Sequence, residues 1–188
     1  MGFNISEFKG ELAFGGQRPT LFEVQLTFPA AIGQGAGKKL SFTAQGTELP
    51  ESTVGIISVG YKGRMLPYAG DRQFAPWAIN VINDEDWVVR NAFETWSNMV
   101  NARERNIRQT ATSAPSFYKA SGIVKQYSRV NDQIPTRYYK FNDLWPTTIG
   151  GIGLSWDQQN SIETFQVRFE YNWWDVAGPS VAGNFSNS

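Results

Sequence analysis

A change of hydrophobic period between Trp77 and Val100 limits what this chain can become. Trp77, Ile79 and Val81 alternate with Ala78, Asn80 and Ile82, a period of two that suits a strand buried mainly on one face. Val89, Ala92, Phe93, Trp96, Met99 and Val100 follow at helical spacing and make one apolar stripe. Between them, Asn83 offers a side-chain acceptor, and Asp84, Glu85 and Asp86 stand where the unpaired N–H groups of a first turn point. The pattern predicts a strand, then Asn83 as N-cap, then a helix from Asp84 to about Ala102. Arg103, Arg105 and Arg108 suit the negative end of its dipole.

The rest of the chain reads as strands and loops. In residues 21–28, Phe22, Val24, Leu26 and Phe28 take one face, and Glu23, Gln25 and Thr27 the other. Pro29 and the glycine-rich stretch 33–37 end that strand. Shorter strands are expected at 39–44, 52–61, 65–68 after a turn at Gly63-Arg64, 123–128, 136–141 and 148–155. Pro135 and Pro146 punctuate the later ones. Residues 162–174 alternate without a break. Phe165, Val167, Phe169, Tyr171 and Trp173 face one way; Thr164, Gln166, Arg168, Glu170 and Asn172 face the other. As one strand this stretch would extend to about 40 Å, long for a small domain. Residues 101–121 read as a long surface loop. One domain is expected over 1–177, with a small, polar, disordered tail at 178–188.

Composition removes several kinds of chemistry. The chain has no Cys and no His. Disulfides, thiolate or imidazole metal sites, and Ser-His or Cys-His catalysis within one chain are therefore impossible. Seventeen basic residues balance seventeen acidic ones, without the basic excess that holding phosphates demands. No signal peptide or membrane-spanning run is apparent. Met1-Gly2 with Ser6 meets only the loose myristoylation pattern.

Local motifs read as structure rather than chemistry. Gly33 to Lys39 lacks phosphate-loop spacing, because Ile32 stands where the first Gly belongs and Lys39 replaces the Ser/Thr; it reads as a flexible hairpin loop. Asp84, Glu85 and Asp86 serve a helix dipole more readily than a cation. Glu163 and Glu170 point to opposite faces of one strand, roughly 23 Å apart, too far for a glycosidase pair. Seven Trp residues, including Trp173-Trp174, suit core and subunit contacts better than a sugar platform. The Asn4-Ile5-Ser6 and Asn184-Phe185-Ser186 sequons lack a secretion signal to give them use. The residues alone therefore point to a β-rich assembly or binding module.

Order and spacing add a resemblance. Gly70-Asp71-Arg72, Trp77, Val81-Ile82-Asn83-Asp84-Glu85-Asp86, Arg90-Asn91-Ala92-Phe93-Glu94 and Trp96 resemble the tail tube proteins of contractile-tailed bacteriophages of the T-even type. The likeness extends through Phe3-Asn4-Ile5, Gly16-Gln17-Arg18-Pro19, Leu49-Pro50, Ser52-Thr53-Val54-Gly55 and Leu154-Ser155-Trp156-Asp157. Trp87, where Phe is expected in many relatives, is a minor departure. The resemblance implies a mainly β fold: an antiparallel barrel-like sandwich with one flanking helix and long inter-subunit loops. It implies a non-enzymatic virion protein of the tail, assembled in the host cytoplasm. Copies would form hexameric rings stacked into a tube, whose partners are the sheath, baseplate and tail terminator proteins. Genomic DNA would cross the lumen without specific binding, and neither a cofactor nor a membrane anchor is expected.

A tube of a tailocin or related contractile injection system would read the same way, and a Trp-rich carbohydrate-binding sandwich is the alternative from another class. On the tube reading, Glu23, Gln25, Thr27, Gln166, Arg168 and Glu170 are lumen-facing candidates. Leu49, Ser52, Tyr61, Arg64, Asp71 and Arg72 are subunit-contact candidates. The stretches 46–68 and 101–121 are expected to order on assembly.

Overall fold

The computed structural model describes residues 4–12, 15–32, 35–107, 114–129 and 134–178. Met1-Gly2, the Gly33-Gln34 step, residues 108–113 of the expected loop and all of the expected tail after Gly178 lie outside them. In chain order the elements are α1 (Ile5–Glu11), β1 (Phe22–Thr27), α2 (Gly35–Thr43), β2 (Ala44–Thr47), β3 (Ser52–Tyr61), β4 (Arg64–Phe74) and β5 (Trp77–Ile82). They continue with α3 (Val88–Val100), α4 (Pro115–Tyr118), β6 (Ala120–Tyr127), β7 (Pro135–Ile149), β8 (Thr164–Glu170) and β9 (Trp173–Ala177).

Seven strands form one antiparallel sheet in the order β1-β6-β7-β8-β5-β2, with β9 also paired to β7; β3 and β4 pair only with each other. The long strand β7 folds the sheet into two layers. Its first part lies between β6 and β9, and its last part pairs with β8. The turn between them falls at Asp143, whose φ of 58° is left-handed. The side chain of Asn172 donates to Asp143 at 2.7 Å and its backbone N–H to the Asn142 carbonyl at 3.1 Å. The chain therefore changes layer twice at one place, in β7 and between β8 and β9.

Both layers turn their apolar faces to a single core. Val24, Val124 and Phe141 come from one layer, Ile79, Val81, Val167 and Phe169 from the other, and Phe93 and Trp96 from α3. Trp77 stacks on Phe141 across the layers at 4.2 Å. Gly122 makes room for that stack: a Cβ there would lie 2.8 Å from Leu144 and 3.1 Å from Trp77. No polar or charged residue among those described is buried.

Four local expectations need correction. Residues 39–43 belong to a helix rather than a strand, with only Ala44 in a strand, and the glycine-rich run opens that helix at Gly35 instead of forming a hairpin loop. Ala36 and Leu40, four apart, are its buried pair. Gly37 lets it touch β1, since a Cβ would sit 2.9 Å from the Leu26 carbonyl. Second, α3 starts at Val88, not Asp84, and Asn83 does not cap it. Asn83 donates its side chain to Glu163 at 2.9 Å; the orphan N–H of Val88 instead finds Asp86 at 3.2 Å. Third, residues 162–174 are two strands, because the chain crosses between layers at Tyr171-Asn172. Fourth, 136–141 joins 142–149 in one strand, which begins at Pro135 and accommodates Pro146 at a register shift; 150–155 is not strand.

Candidate assembly interface

Because β2 runs into β3 and β4 runs into β5, the hairpin is an outgrowth of the β8 layer. Two residues, Lys62 and Gly63, close it with φ of 46° and 78°, the left-handed pair that matches strand twist. The ten residues of β3 give it a reach of roughly 30 Å. Its ladder shifts register between Val54 and Ile56, opposite the close approach of Gly55 and Gly70. Beyond the shift, Ile57 faces Tyr68, Val59 faces Leu66, and Tyr61 faces Arg64. Directly opposed residues share a face, so one side of the hairpin is a row of apolar groups. All six are exposed. A two-stranded ribbon with both outer edges unpaired is marginal in water and offers its backbone to a partner.

The six subunit-contact candidates converge on this outgrowth. Leu49 lies at its root and Ser52 opens it, accepting a 3.0 Å bond from Arg72. Tyr61 and Arg64 flank the tip, and Asp71 and Arg72 stand exposed on β4. Sequence reasoning missed its apolar row. The alternation of Ile57, Val59 and Tyr61 is short and is masked by Ile56, an apolar residue on the opposite face next to the register shift.

The six lumen-facing candidates do not come together. Glu23, Gln25 and Thr27 lie on the outward side of the β1 layer. There Glu23 accepts from Tyr127 at 2.6 Å and Gln25 at 2.8 Å, with Lys125 3.6 Å away. Gln166, Arg168 and Glu170 lie on the outward side of the β8 layer. Gln166 donates to Asn80 at 3.2 Å and accepts from Arg168 at 3.0 Å. The shared core separates the two groups, so one wall can hold only one of them.

Several ionisable groups are tied into pairs. Burial works to raise the Glu23 carboxyl, but the bonds from Tyr127 and Gln25 and the charge of Lys125 outweigh it, and its pKa falls below the usual value. Lys39 is held above its usual value by bonds to Asp84 and Asp86, and so fastens α2 to the turn before α3. Glu94 is lowered chiefly by the bond from Arg90 at 2.9 Å. No group of three or more potential metal ligands occurs among the described residues.

Two tyrosines give the fold an alkaline limit. Burial, and then the neighbouring Glu23, push Tyr127 to about 12; burial, and then Glu170, do the same for Tyr171. In the unfolded chain both ionise from their ordinary value of 10.0. Their contribution is complete below pH 10 and is lost as pH rises through 10 to 12. The urea midpoint should therefore drop across that window, and less steeply in Tyr171→Phe. An equal slope in both proteins would contradict this assignment.

A two-layer β-sandwich that carries an exposed apolar hairpin has the form of a structural protein that assembles with its own kind. The model of the phage tail tube protein family matches residues 17–177, and the chain belongs to that family. It is 34% identical over 158 residues to the tail tube protein gp19 of Enterobacteria phage T4, covering 84% of this chain and 90% of that one. It is 28% identical over 170 residues to the tail tube protein of Serratia phage KSP90, covering 89% and 93%.

Solved structures with the same fold come from contractile injection systems. A chain of the anti-feeding prophage baseplate aligns with a TM-score of 0.61 at 12% identity, over 88% of this chain and 98% of that one. A chain of the extended sheath-tube complex of an extracellular contractile injection system aligns with a TM-score of 0.55 at 10% identity, over 94% and 99%. The protein is thus a structural component of a phage virion. No helix among the described residues is long and apolar enough to cross a membrane.

Proposed function

We propose that copies of this chain join laterally into hexameric rings, which stack into the inner tube of a contractile tail and conduct genomic DNA during ejection. The observation that carries the reading is the β3–β4 hairpin, a long apolar ribbon that has no use in a lone subunit. Heterologous contacts that close laterally and repeat axially produce such a tube. Sheath, baseplate and tail terminator proteins are its expected partners, and the role is non-enzymatic.

The β8 layer supplies the lumen wall. Its outward face is largely uncharged, with Thr164, Gln166, Asn80 and Thr148 beside one Arg168 and one Glu170. Such a wall neutralises too few phosphates to hold DNA. The Glu23 face is less suited, because its charges are spent on one another and α2 meets the β1 edge at Leu26. Electron microscopy of the purified protein tests both statements. Six-fold rings or tubes support the reading, while a strict monomer at high concentration refutes it. A tube reconstruction with Gln25 on the bore instead of Gln166 would reverse the choice of wall.

A further inference from the structure

We propose that the loop between β7 and β8 is the seat on which the β3–β4 hairpin of the next stacked copy docks. This rests on the tube reading and assigns its axial contact to particular side chains. In residues 150–163, Trp156 is 99% exposed, Leu154 80% and Ile162 72%. Three large apolar groups held in water on one loop mark a contact surface, and a Trp is the residue that most often dominates one.

Register puts seat and hairpin at opposite ends of one layer. Ile82 pairs with Thr164 and Ile149 with Val167, so the loop closes one end. Trp77 pairs with Phe169 and Ser52 with Phe74, so the hairpin leaves from the other. Unlike surfaces at opposite ends of one body make a head-to-tail contact that repeats without limit. The charges agree with this. Lys62 and Arg64 sit at the hairpin tip. Asp157 lies on the loop, and Asp84, Glu85 and Asp86 share its end, with Lys39 offsetting part of their charge. The occupant is therefore a second copy: its apolar row covers Trp156, and its basic tip meets the acidic rim.

The absence of cysteine makes a clean test possible. Two single variants of the full chain, Tyr61→Cys and Trp156→Cys, are mixed, assembled and treated with a short bismaleimide. The expected product is a mixed dimer that forms in tubes and not in dilute, unassembled protein. In parallel, Trp156→Ser should raise the concentration needed for tube formation at least roughly tenfold, while lateral rings persist. Since Trp156 touches solvent only, its loss leaves the monomer's melting curve in place.

Tubes of normal yield from Trp156→Ser, with no mixed dimer, would overturn the proposal and assign the loop to another tail protein, leaving the tube reading intact. Failure of the unsubstituted chain to form rings or tubes would overturn both.

Discussion

Replacing residues 53–73 by a two-residue turn is expected to leave a folded subunit of nearly unchanged stability that no longer stacks into tubes. Between those positions every side chain points to solvent or to the hairpin itself, apart from partial cover at Gly55 and Gly70. The core keeps Phe74, which packs at 5.8 Å from Tyr171. Shortening the connection even helps slightly, by about 0.6 kcal/mol for each halving of loop length. Assembly instead loses an extended row of exposed apolar side chains. Far-ultraviolet circular dichroism and a melting curve report the fold; sedimentation and negative-stain images report the polymer. Tubes formed by the shortened chain would remove the hairpin from the account of assembly.

The opposite separation is expected for Phe93→Ala, which should damage the monomer itself. Phe93 is fully buried on α3 and touches Phe28 at 5.2 Å, Phe169 at 5.8 Å and Phe165 at 6.5 Å. These rings come from the end of β1 and from β8, so the side chain joins both layers to the helix. Removing it costs about 3–5 kcal/mol through lost transfer energy and an unfilled cavity. A domain of this size has roughly 5–15 kcal/mol to lose, and the melting temperature should fall by roughly 6–20 °C. Thermal denaturation of the unassembled protein measures this. A shift below a few degrees would mean that α3 is not fixed to the sheets by that ring.

Where a residue's surroundings lie close in sequence, the chain displays its structure openly. The alternation of β1 and β5 and the stripe of α3 survive in the structure because each pattern is set by one buried face. Residues 35–43 hid their helix. Two Gly, a Ser and a Thr are poor helix formers, and what holds α2 is the contact of Gly37 with a carbonyl of β1, a partner remote in sequence. Asn83 has the chemistry of a cap but is claimed by Glu163, eighty residues away. Strict alternation in 162–174 could not reveal the bend at Tyr171-Asn172, and the parity flips there: Trp174, paired with Phe141, packs on the core, while Trp173, expected on the inward face with Phe169 and Tyr171, is exposed.

The proposed assembly surface was legible by location and not by face. The stretch around the hairpin stood out as poorly explained by a core. The Trp156 loop stood out only as part of the family likeness and not as a surface, because one exposed Trp among seven looks the same in sequence as a buried one. The lumen candidates split for a related reason. Amphipathic strands announce that they have a wet side, but which of two layers each belongs to is decided by pairing with β6 or with β5.

β7 carries a mechanical consequence. A pipe driven through an envelope is loaded in compression and shear, and a laminate fails under such loads when its plies slip. Here the plies are one continuous thread, bent at Asp143 and clasped there by Asn172. Slippage would require stretching covalent bonds rather than only parting side chains, so each segment of the shaft should transmit thrust as a solid piece.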